Sequence, residues 1–491
     1  MIEWIMVFAV LLPIFGGALF PFLPIKNRSA MRIYLETVAG VTSLMAFYLI
    51  WKQPAGSFVL FRFTGQLSIS FHLDAVGSVF VALVSFLWPL ALLYAFEYME
   101  HESHRKIFYM FYLATYGVTL GIAMAEDIVT LYFFYEMLTM VTLPLILHSL
   151  SREAIHASRT YLYYSLGGAA FAFIGMIFIL VYGSTTDFIP GGVLTPDILA
   201  DKRNMLLLIY VICFCGFSVK AAMLPFSSWL PKAGVAPTPV TALLHAVAVV
   251  KAGAFANIRI TYFLFGTDLI KGTWAQQVLL GLTTVTIVYG CSRAVKETHI
   301  KRRLAWSTVS NLSYILFGVA LMSPIGLLGA LCHMICHAAM KFCSFLCAGA
   351  VIHKSGKQYI HELDGLGYRM PRVFVIFTIS SLALMGVPGL CGFVSKWYLA
   401  QAAVSQMTLF GYLGVGALLI SALLTAIYML AIVVRAFFPT REASVEQNAP
   451  ITDPSWRMLL PLGICVVVML LIGLHPAILT DVMKQVVMTA F

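Results

Sequence analysis

Long apolar runs separated by short polar breaks follow one another along the whole chain. A helix needs about 20 apolar residues to cross the roughly 30 Å hydrocarbon core of a membrane. Run after run reaches that length, so we predict an all-α polytopic membrane protein with about 14 transmembrane helices. The predicted spans are 3–23, 31–51, 75–97, 107–125, 128–149, 160–183, 205–229, 238–263, 275–294, 304–322, 324–351, 373–402, 408–437 and 457–480.

The segments between the spans are short. Residues 53–74 alternate between apolar and polar side chains, which predicts a β-hairpin on the outer surface. The opening residues 1–23 lack a basic stretch and a small-residue cleavage site, which favours a retained first helix over a signal peptide.

Composition supports the same class. Of 491 residues, 61% are hydrophobic and only 11% are charged, with a mean hydropathy of +0.92. Soluble domains carry about 25% charged residues, so the chain lies outside that class. The net charge of +10 is spread singly or in threes between apolar runs. This is typical of topology determinants, so no nucleic-acid partner is expected.

Basic residues concentrate in the loops after odd-numbered spans. The positive-inside rule then places these loops in the cytoplasm and both termini outside the cytoplasmic (inner) membrane. The basic residues concerned include Lys26, Arg28, Arg32, Lys301, Arg302, Arg303, Lys354, Lys357, Arg369 and Arg372.

Four lysines lie inside predicted spans. A lysine at the bilayer centre costs about 2.5–3.5 kcal/mol on insertion scales. Snorkelling to the interface is the alternative, but it suits lysines near a helix end better than lysines flanked by apolar residues. The four are Lys220, Lys251, Lys341 and Lys396.

Glu136 is the one acidic residue in the middle of a predicted span. One carboxylate cannot neutralise four ammonium groups, so some lysines must be neutral part of the time or reach water. Burial favours the neutral form of a lysine and a nearby carboxylate favours the charged form. A lysine whose partner moves is therefore a switchable proton site, and Glu136 is the expected partner of Lys220.

Histidines accompany two of the lysines. His333, His337 and Lys341 are spaced i, i+4 and i+8 along one helical stripe, and His245 precedes Lys251 by six residues. Histidine changes charge most readily near neutral pH. We interpret these residues as a proton relay, with packed histidines of no role as the alternative.

A zinc site is a second alternative for the histidine stripe. It is disfavoured because Cys332 and Cys336 lie about 100° away around the helix. None of the nine cysteines forms a CxxC pair, and the chain contains no nucleotide-binding motif. We therefore predict no metal and no cofactor, and no redox site in this chain.

Proline and glycine interrupt two of the lysine-bearing spans. Pro225 and Pro231 follow Lys220, and Pro388, with glycines on both sides, precedes Lys396. Transporters place such breaks where backbone lines a hydrated cavity, because unpaired backbone cannot face lipid. We predict discontinuous helices 7 and 12, with plain kinks as the alternative.

At these residues the chain resembles the antiporter-like subunits shared by respiratory complex I, Mrp-type Na⁺/H⁺ antiporters (their Mrp-D-like branch) and membrane-bound energy-converting [NiFe] hydrogenases. The residues that carry the resemblance run in family order from about residue 100 to 400. They are FYEMLT, GFSVKAAMLPFSSWLP, APTPVTALLHAVAVVKAG, LAWSTVSNLSYILFG, HMICHAAMKFCSFLCAGAV and GVPGLCGFVSKWYLA.

The resemblance implies two inverted five-helix repeats, helices 4–8 and 9–13. The corresponding divisions are 1–106 for the N-terminal helices, 107–263 and 275–437 for the repeats, and 438–491 for the last helix. It implies that Glu136 and Lys220 form an ion pair, that Lys251 is the connector and that Lys396 is the exit residue. It also implies other membrane subunits, together with a redox arm, as partners.

Lys232 in WLPKA stands where complex I and antiporter versions commonly carry Asp or Glu. This favours the hydrogenase-associated and Mrp-D-like branch over a core complex I component. The expected function is translocation of protons (or Na⁺ and H⁺) within a multisubunit complex. An independent transporter of a small solute and a membrane-embedded enzyme are the alternatives, and both suit one converging polar site better than charges spread over several helices.

Overall fold

The computed structural model describes residues 2–25, 27–64, 67–439 and 451–491. Lys26 lies outside the described residues, as do parts of the predicted hairpin and of the predicted division 438–491. The helices of the first half are α1 (Ile2–Leu19), α2 (Arg28–Lys52), α3 (Ala75–Tyr98), α4 (Arg105–Ala123), α5 (Ile128–Ile146), α6 (Arg152–Tyr182), α7 (Pro196–Ser218), α8 (Trp229–Ala233), α9 (Thr238–Ala246) and α10 (Val249–Arg259).

The second half continues with ten more helices in the described part of the chain. They are α11 (Thr267–Ile270), α12 (Trp274–Lys296), α13 (Ile300–Ala320), α14 (Pro324–Ser355), α15 (Leu366–Arg369), α16 (Pro371–Met385), α17 (Cys391–Ser405), α18 (Leu409–Phe437), α19 (Trp456–Leu474) and α20 (Ala477–Met488).

Eleven stretches of helix within the described ranges are long and apolar enough to cross a membrane. Helix α16 is a shorter apolar helix. The prediction of a polytopic all-α membrane protein is therefore confirmed.

Polar caps mark where many of the helices begin. Each of five residues accepts a hydrogen bond from a backbone N–H in the first turn of its helix. Helix ends without such partners would leave unpaired donors that hydrocarbon cannot solvate. The five are Asp74 before α3, Asp127 before α5, Ser151 before α6, Ser323 before α14 and Thr408 before α18.

The predicted β-hairpin is present within shorter bounds. Strand β1 (Phe58–Thr64) pairs antiparallel with β2 (Leu67–Phe71). Most of β1 is exposed, whereas the end of β2 is buried and forms a bridge from Phe71 to Ala125. The hairpin therefore covers the loop between α4 and α5 at one end of the bundle.

Helix interruptions lie next to the buried lysines. The predicted span 205–229 is wrong at its end, because α7 stops at Ser218 and Lys220 lies in the interruption instead of before it. The predicted span 373–402 divides into α16 and α17. Gly386 and Gly389, with φ of 92° and 87°, occupy a backbone region that favours glycine.

A third interruption separates α9 from α10 at Val247 and Ala248, so the predicted span 238–263 is not one regular helix. The predicted span 457–480 likewise ends early, because α19 stops at Leu474 and α20 begins at Ala477.

Helix α14 lies at the centre of the second half. It packs against α9, α13, α16, α17, α19 and α20, and nearly all of its middle is buried. Its neighbours bring side chains from several helices to His333, His337 and Lys341.

Candidate functional site

Lys251 and His337 meet across the contact between α10 and α14. Lys251 lies in the first turn of α10, directly after the interruption, and is fully buried. Its Nζ lies 2.5 Å from Nδ1 of His337, which is also fully buried. An ammonium group cannot accept a hydrogen bond, so Nδ1 must be unprotonated whenever Lys251 is charged.

His333 continues this contact along α14. Its ring stacks on the ring of His337, with centroids 5.8 Å apart and planes 20° apart. Its Nδ1 lies 2.9 Å from Oγ of Ser395, the residue before Lys396. The Nε2 atoms of both histidines are buried without a hydrogen-bond partner. Lys251, His337, His333 and Ser395 therefore form one polar row from α10 to α17.

Lys341 opens a second polar row, built of hydroxyl groups on α13 and α18. Its Nζ donates to Oγ of Ser307 at 2.6 Å, and that hydroxyl lies 2.6 Å from the hydroxyl of Tyr428. Tyr428 in turn lies 3.1 Å from Oγ1 of Thr425. All four residues are buried.

A cluster around Cys291 lies beyond Thr425. The Cys291 Sγ lies 3.8 Å from Oγ1 of Thr425 and 2.9 Å from Oγ of Ser421. Ser421 accepts a hydrogen bond from the hydroxyl of Tyr314 at 2.6 Å. The Tyr314 ring lies 5.1 Å from the ring of His333, so the two rows approach each other there.

Lys220 is buried beside α5 but does not form the expected ion pair. Its Nζ donates to the backbone carbonyl of Tyr135 and lies 3.4 Å from the centroid of the Tyr135 ring. Glu136 is near enough to interact electrostatically with Lys220, but no hydrogen bond or ion pair joins them. The direct Glu136–Lys220 contact expected from sequence is therefore missing in this conformation.

Glu136 points to the edge of the bundle. It is half-buried and its Oε1 has no hydrogen-bond partner. It lines an apolar cavity of about 460 Å³ together with Phe63, Leu67 and Ile69 of the hairpin. Movement of this side chain toward Lys220 or away from it is therefore not restrained by a hydrogen bond to Oε1.

Lys396 spans the interruption between α16 and α17. Its Nζ donates to the carbonyls of Leu384 at 2.6 Å and Met385 at 3.1 Å, the last two residues of α16. A cation at the carbonyl end of a helix is favoured by the helix dipole. The Nζ also lies 5.4 Å from the Tyr314 ring, beside the second polar row.

His245 stands apart from the other histidines. It lies in the last turn of α9 and is fully buried, and neither ring nitrogen has a hydrogen-bond partner. Its ring contacts Phe345 with centroids 4.8 Å apart. The structure thus places His245 near the interruption before Lys251 without a direct contact to that lysine.

Two buried basic residues were not among the candidates drawn from the sequence. Lys301 counts as a loop residue in the sequence, yet its side chain is buried and donates to the carbonyl of Ala236 at 2.7 Å. Arg259 falls inside the predicted span 238–263, and its guanidinium forms two hydrogen bonds of 2.5 and 2.6 Å with Asp74.

The Arg259–Asp74 pair lies at the end of the bundle where α3 begins. Three aromatic rings surround the guanidinium, those of Phe188, Phe255 and Phe263. Burial raises the pKa of Asp74, but the charge and hydrogen bonds of Arg259 and the N–H of Gly77 lower it more, so the pKa lies below its ordinary value. The pair therefore holds α3 to the end of α10.

The histidines do not face the cysteines that the zinc alternative requires. Within the described ranges, no three His, Cys, Asp or Glu side chains group in a way that could hold a metal ion. The partners of the stripe are instead a lysine and serine hydroxyls.

Comparisons with known proteins identify the family. Residues 125–427 match the family model described as NADH:quinone oxidoreductase/Mrp antiporter, TM. Residues 62–109 match the model described as NADH-Ubiquinone oxidoreductase (complex I), chain 5 N-terminus.

Individual relatives agree. NAD(P)H-quinone oxidoreductase chain 4 2 of Trichodesmium erythraeum is 28% identical over 89% of this chain and 78% of that protein. A probable K(+)/H(+) antiporter protein of Rhizobium meliloti (its A/B component) is 30% identical over 95% of this chain, which spans only 47% of the relative's length.

The fold matches a chain of a solved complex, the membrane-bound sulfane sulfur reductase, an archaeal respiratory membrane complex. The TM-score is 0.85 at 21% identity, covering 99% of this chain and 97% of that chain. The resemblance carried by the sequence motifs is confirmed. The chain belongs to the NADH:quinone oxidoreductase/Mrp antiporter family of transmembrane proteins.

Proposed function

We propose that this chain translocates protons, or exchanges Na⁺ for protons, through a buried Glu/Lys/His relay. It does so as an antiporter-like membrane subunit of a multisubunit redox-driven or Mrp-type complex. The observation that carries this proposal is the row Lys251–His337–His333–Ser395, which joins three helices by hydrogen-bond or ring contact.

The relay works because adjacent groups in this row cannot all be charged. Lys251 and His337 share one contact, and that contact accommodates one excess proton on either partner. A second ammonium or imidazolium nearby repels the first, so arrival of a proton at one site favours departure from the next. Orphaned ring nitrogens at His245, His333 and His337 provide further sites for transfer through internal water.

The remaining candidates lie on both sides of this centre. Lys220, with Glu136 as its movable partner, loads protons in the first half of the chain. Lys251 connects the halves, and Lys396 releases protons in the second half. Lys341 and the hydroxyl row on α13 and α18 supply a second route toward Tyr314 and Lys396.

The finer architecture follows the family resemblance. We propose about 14 spans arranged with two inverted repeats of five helices each. The divisions are 1–106, 107–263, 275–437 and 438–491, and both termini lie outside the cytoplasmic membrane. The interruptions around Lys220 and Lys396 occupy corresponding places in the two repeats.

The partners are other membrane subunits, with further antiporter-like chains among them. The chain needs no cofactor of its own, since a redox arm or an opposing ion gradient supplies the energy. The quinone oxidoreductase chain and the K(+)/H(+) antiporter protein among its relatives represent these two kinds of assembly.

Proton translocation by the complex in liposomes tests the proposal. A dye inside the vesicles reports pH while the complex turns over. Lys251→Met keeps the length of the side chain and removes its charge, and we expect translocation to fall at least about 100-fold, as on loss of a group that transfers protons. Lys484→Met, at an exposed lysine paired with Asp481, is the control. Unchanged translocation in Lys251→Met overturns the proposal.

A further inference from the structure

Two apolar cavities flank a basic corner of the bundle surface, well away from the buried lysines. The larger measures about 830 Å³ and runs along α19, and the smaller measures about 420 Å³ and runs along α16. Arg372 and Leu459 line both cavities, so the two grooves converge at this arginine.

The larger groove follows one face of α19 over several turns. Its lining residues extend from Leu459 to Val468, which corresponds to about 13 Å of helix. Gly463 forms part of its floor, and a Cβ added there would meet nothing within 4 Å. The lining is almost entirely apolar, as a surface in contact with a hydrocarbon chain must be.

The point of convergence carries positive charge and interfacial aromatic character. Arg372 is exposed at the start of α16, and Trp456, 61% exposed, opens α19. Trp456 is the kind of residue that marks the level of lipid headgroups. Arg457 stacks its guanidinium 5.8 Å from the Trp456 ring.

Nearby carboxylates are already occupied. Asp453 accepts hydrogen bonds from the backbone N–H groups of Arg372 and Val373, which ties the starts of α16 and α19 to the same end of the bundle. Glu97 accepts from Ser455 and pairs with Lys354. Among the described residues, no carboxylate forms an ion pair with Arg372 or Arg457.

We propose that this corner binds one anionic phospholipid, with its phosphate on Arg372 and its two acyl chains in the two grooves. A guanidinium offers a phosphate two parallel hydrogen bonds. Two apolar channels that meet at one such group match a headgroup with two tails. Basic surfaces between helices at the membrane interface are suited to acidic headgroups.

Native mass spectrometry of the delipidated complex tests this. Phosphatidylglycerol and phosphatidylcholine with identical acyl chains are titrated separately, and bound lipids are counted. We expect phosphatidylglycerol to bind about tenfold more tightly, the factor for one charge-assisted hydrogen bond. Arg372→Ala removes this preference, and Arg159→Ala, at an exposed arginine on α6 outside both cavities, retains it.

Gly463→Phe fills the larger groove and weakens both lipids. Its control is Gly416→Phe, at another helical glycine where an added Cβ meets nothing within 4 Å. Equal binding of the two lipids to the wild type, or an unchanged preference in Arg372→Ala, overturns the proposal. Loss of a partner protein in Gly463→Phe with lipid binding intact also overturns it, because the groove then docks a protein helix.

Discussion

The Nζ of Lys251 lies 2.5 Å from the Nδ1 of His337, and both side chains are fully buried. A hydrogen bond at this distance requires one donor and one acceptor, so the two groups cannot both be fully protonated while it persists. The contact is thus a two-position site for one proton, located where α10, newly begun after an interruption, packs against the central helix α14.

Lys220 must be able to lose its proton. Lys220→Arg keeps the positive charge and can still donate to the Tyr135 carbonyl, but arginine does not release its proton. We expect proton translocation in liposomes to fall about 100-fold while the complex still assembles. Lys232→Arg, at an exposed lysine on the neighbouring α8, serves as the control. Near-normal pumping by Lys220→Arg would remove Lys220 from the relay.

Tyr428 should carry protons through its hydroxyl group. Tyr428→Phe keeps the ring but breaks the link between Ser307 and Thr425, so we expect translocation to fall about tenfold and less steeply than for Lys251→Met. Tyr112→Phe is a matched control, because Tyr112 is fully buried and its hydroxyl has no partner. Equal rates in the two variants would limit the hydroxyl row to a structural role.

Lys396 combines a structural contact with a proton site, and two variants separate them. Lys396→Gln can still donate to the carbonyls of Leu384 and Met385 but carries no proton to release. We expect it to block translocation with little change in thermal stability. Lys396→Leu should also lose about 1–2 kcal/mol of stability, because the last carbonyls of α16 lose their donor. Full translocation by Lys396→Gln would mean that the lysine only caps α16.

The Arg259–Asp74 pair should stabilise the fold without serving the relay. Arg259→Leu leaves the Asp74 carboxylate unpaired, and we expect a loss of about 3 kcal/mol at neutral pH, measured as a lower melting temperature in detergent. Arg62→Leu, at an exposed arginine of β1, is the control. Equal melting temperatures for wild type and Arg259→Leu at neutral pH would contradict this role.

The pair should also respond to acid. The pKa of Asp74 lies below its ordinary value of 3.8, so the stabilisation is complete above that pH and is lost as the pH falls through the lowered pKa. The difference in melting temperature between wild type and Arg259→Leu should therefore shrink in strong acid. A difference that grows on acidification would contradict the sign of the shift.

Local sequence predicts much of this molecule because its strongest signals are local. Apolar runs of span length identify the membrane class, and proline and glycine near Lys220 and Lys396 indicate the interruptions. The spacing of His333 and His337 correctly predicts one helical stripe. The exact interruption points could not be predicted, since proline restricts the residues around it without fixing where a helix ends.

Tertiary contacts explain what could not be predicted. Asp74 is 185 residues from Arg259 in the chain, and no local pattern joins them. Lys301 stands beside Arg302 and Arg303 and therefore resembles a topology signal, although it is buried. Ser307, Thr425 and Tyr428 are ordinary residues for a helix, and only the packing of α13 against α18 brings their hydroxyls together.

A double-mutant cycle on Lys251 and His337 tests the central claim most directly. Initial rates of proton translocation are measured in liposomes for the wild-type complex, Lys251→Met, His337→Asn and the double variant. The protein composition of the complex is checked in each sample. Residues that act as one unit are strongly non-additive, so we predict that the double variant is no slower than the slower single variant. Single variants with near-normal rates, or a double variant whose loss equals the product of the two single losses, would contradict a shared proton site.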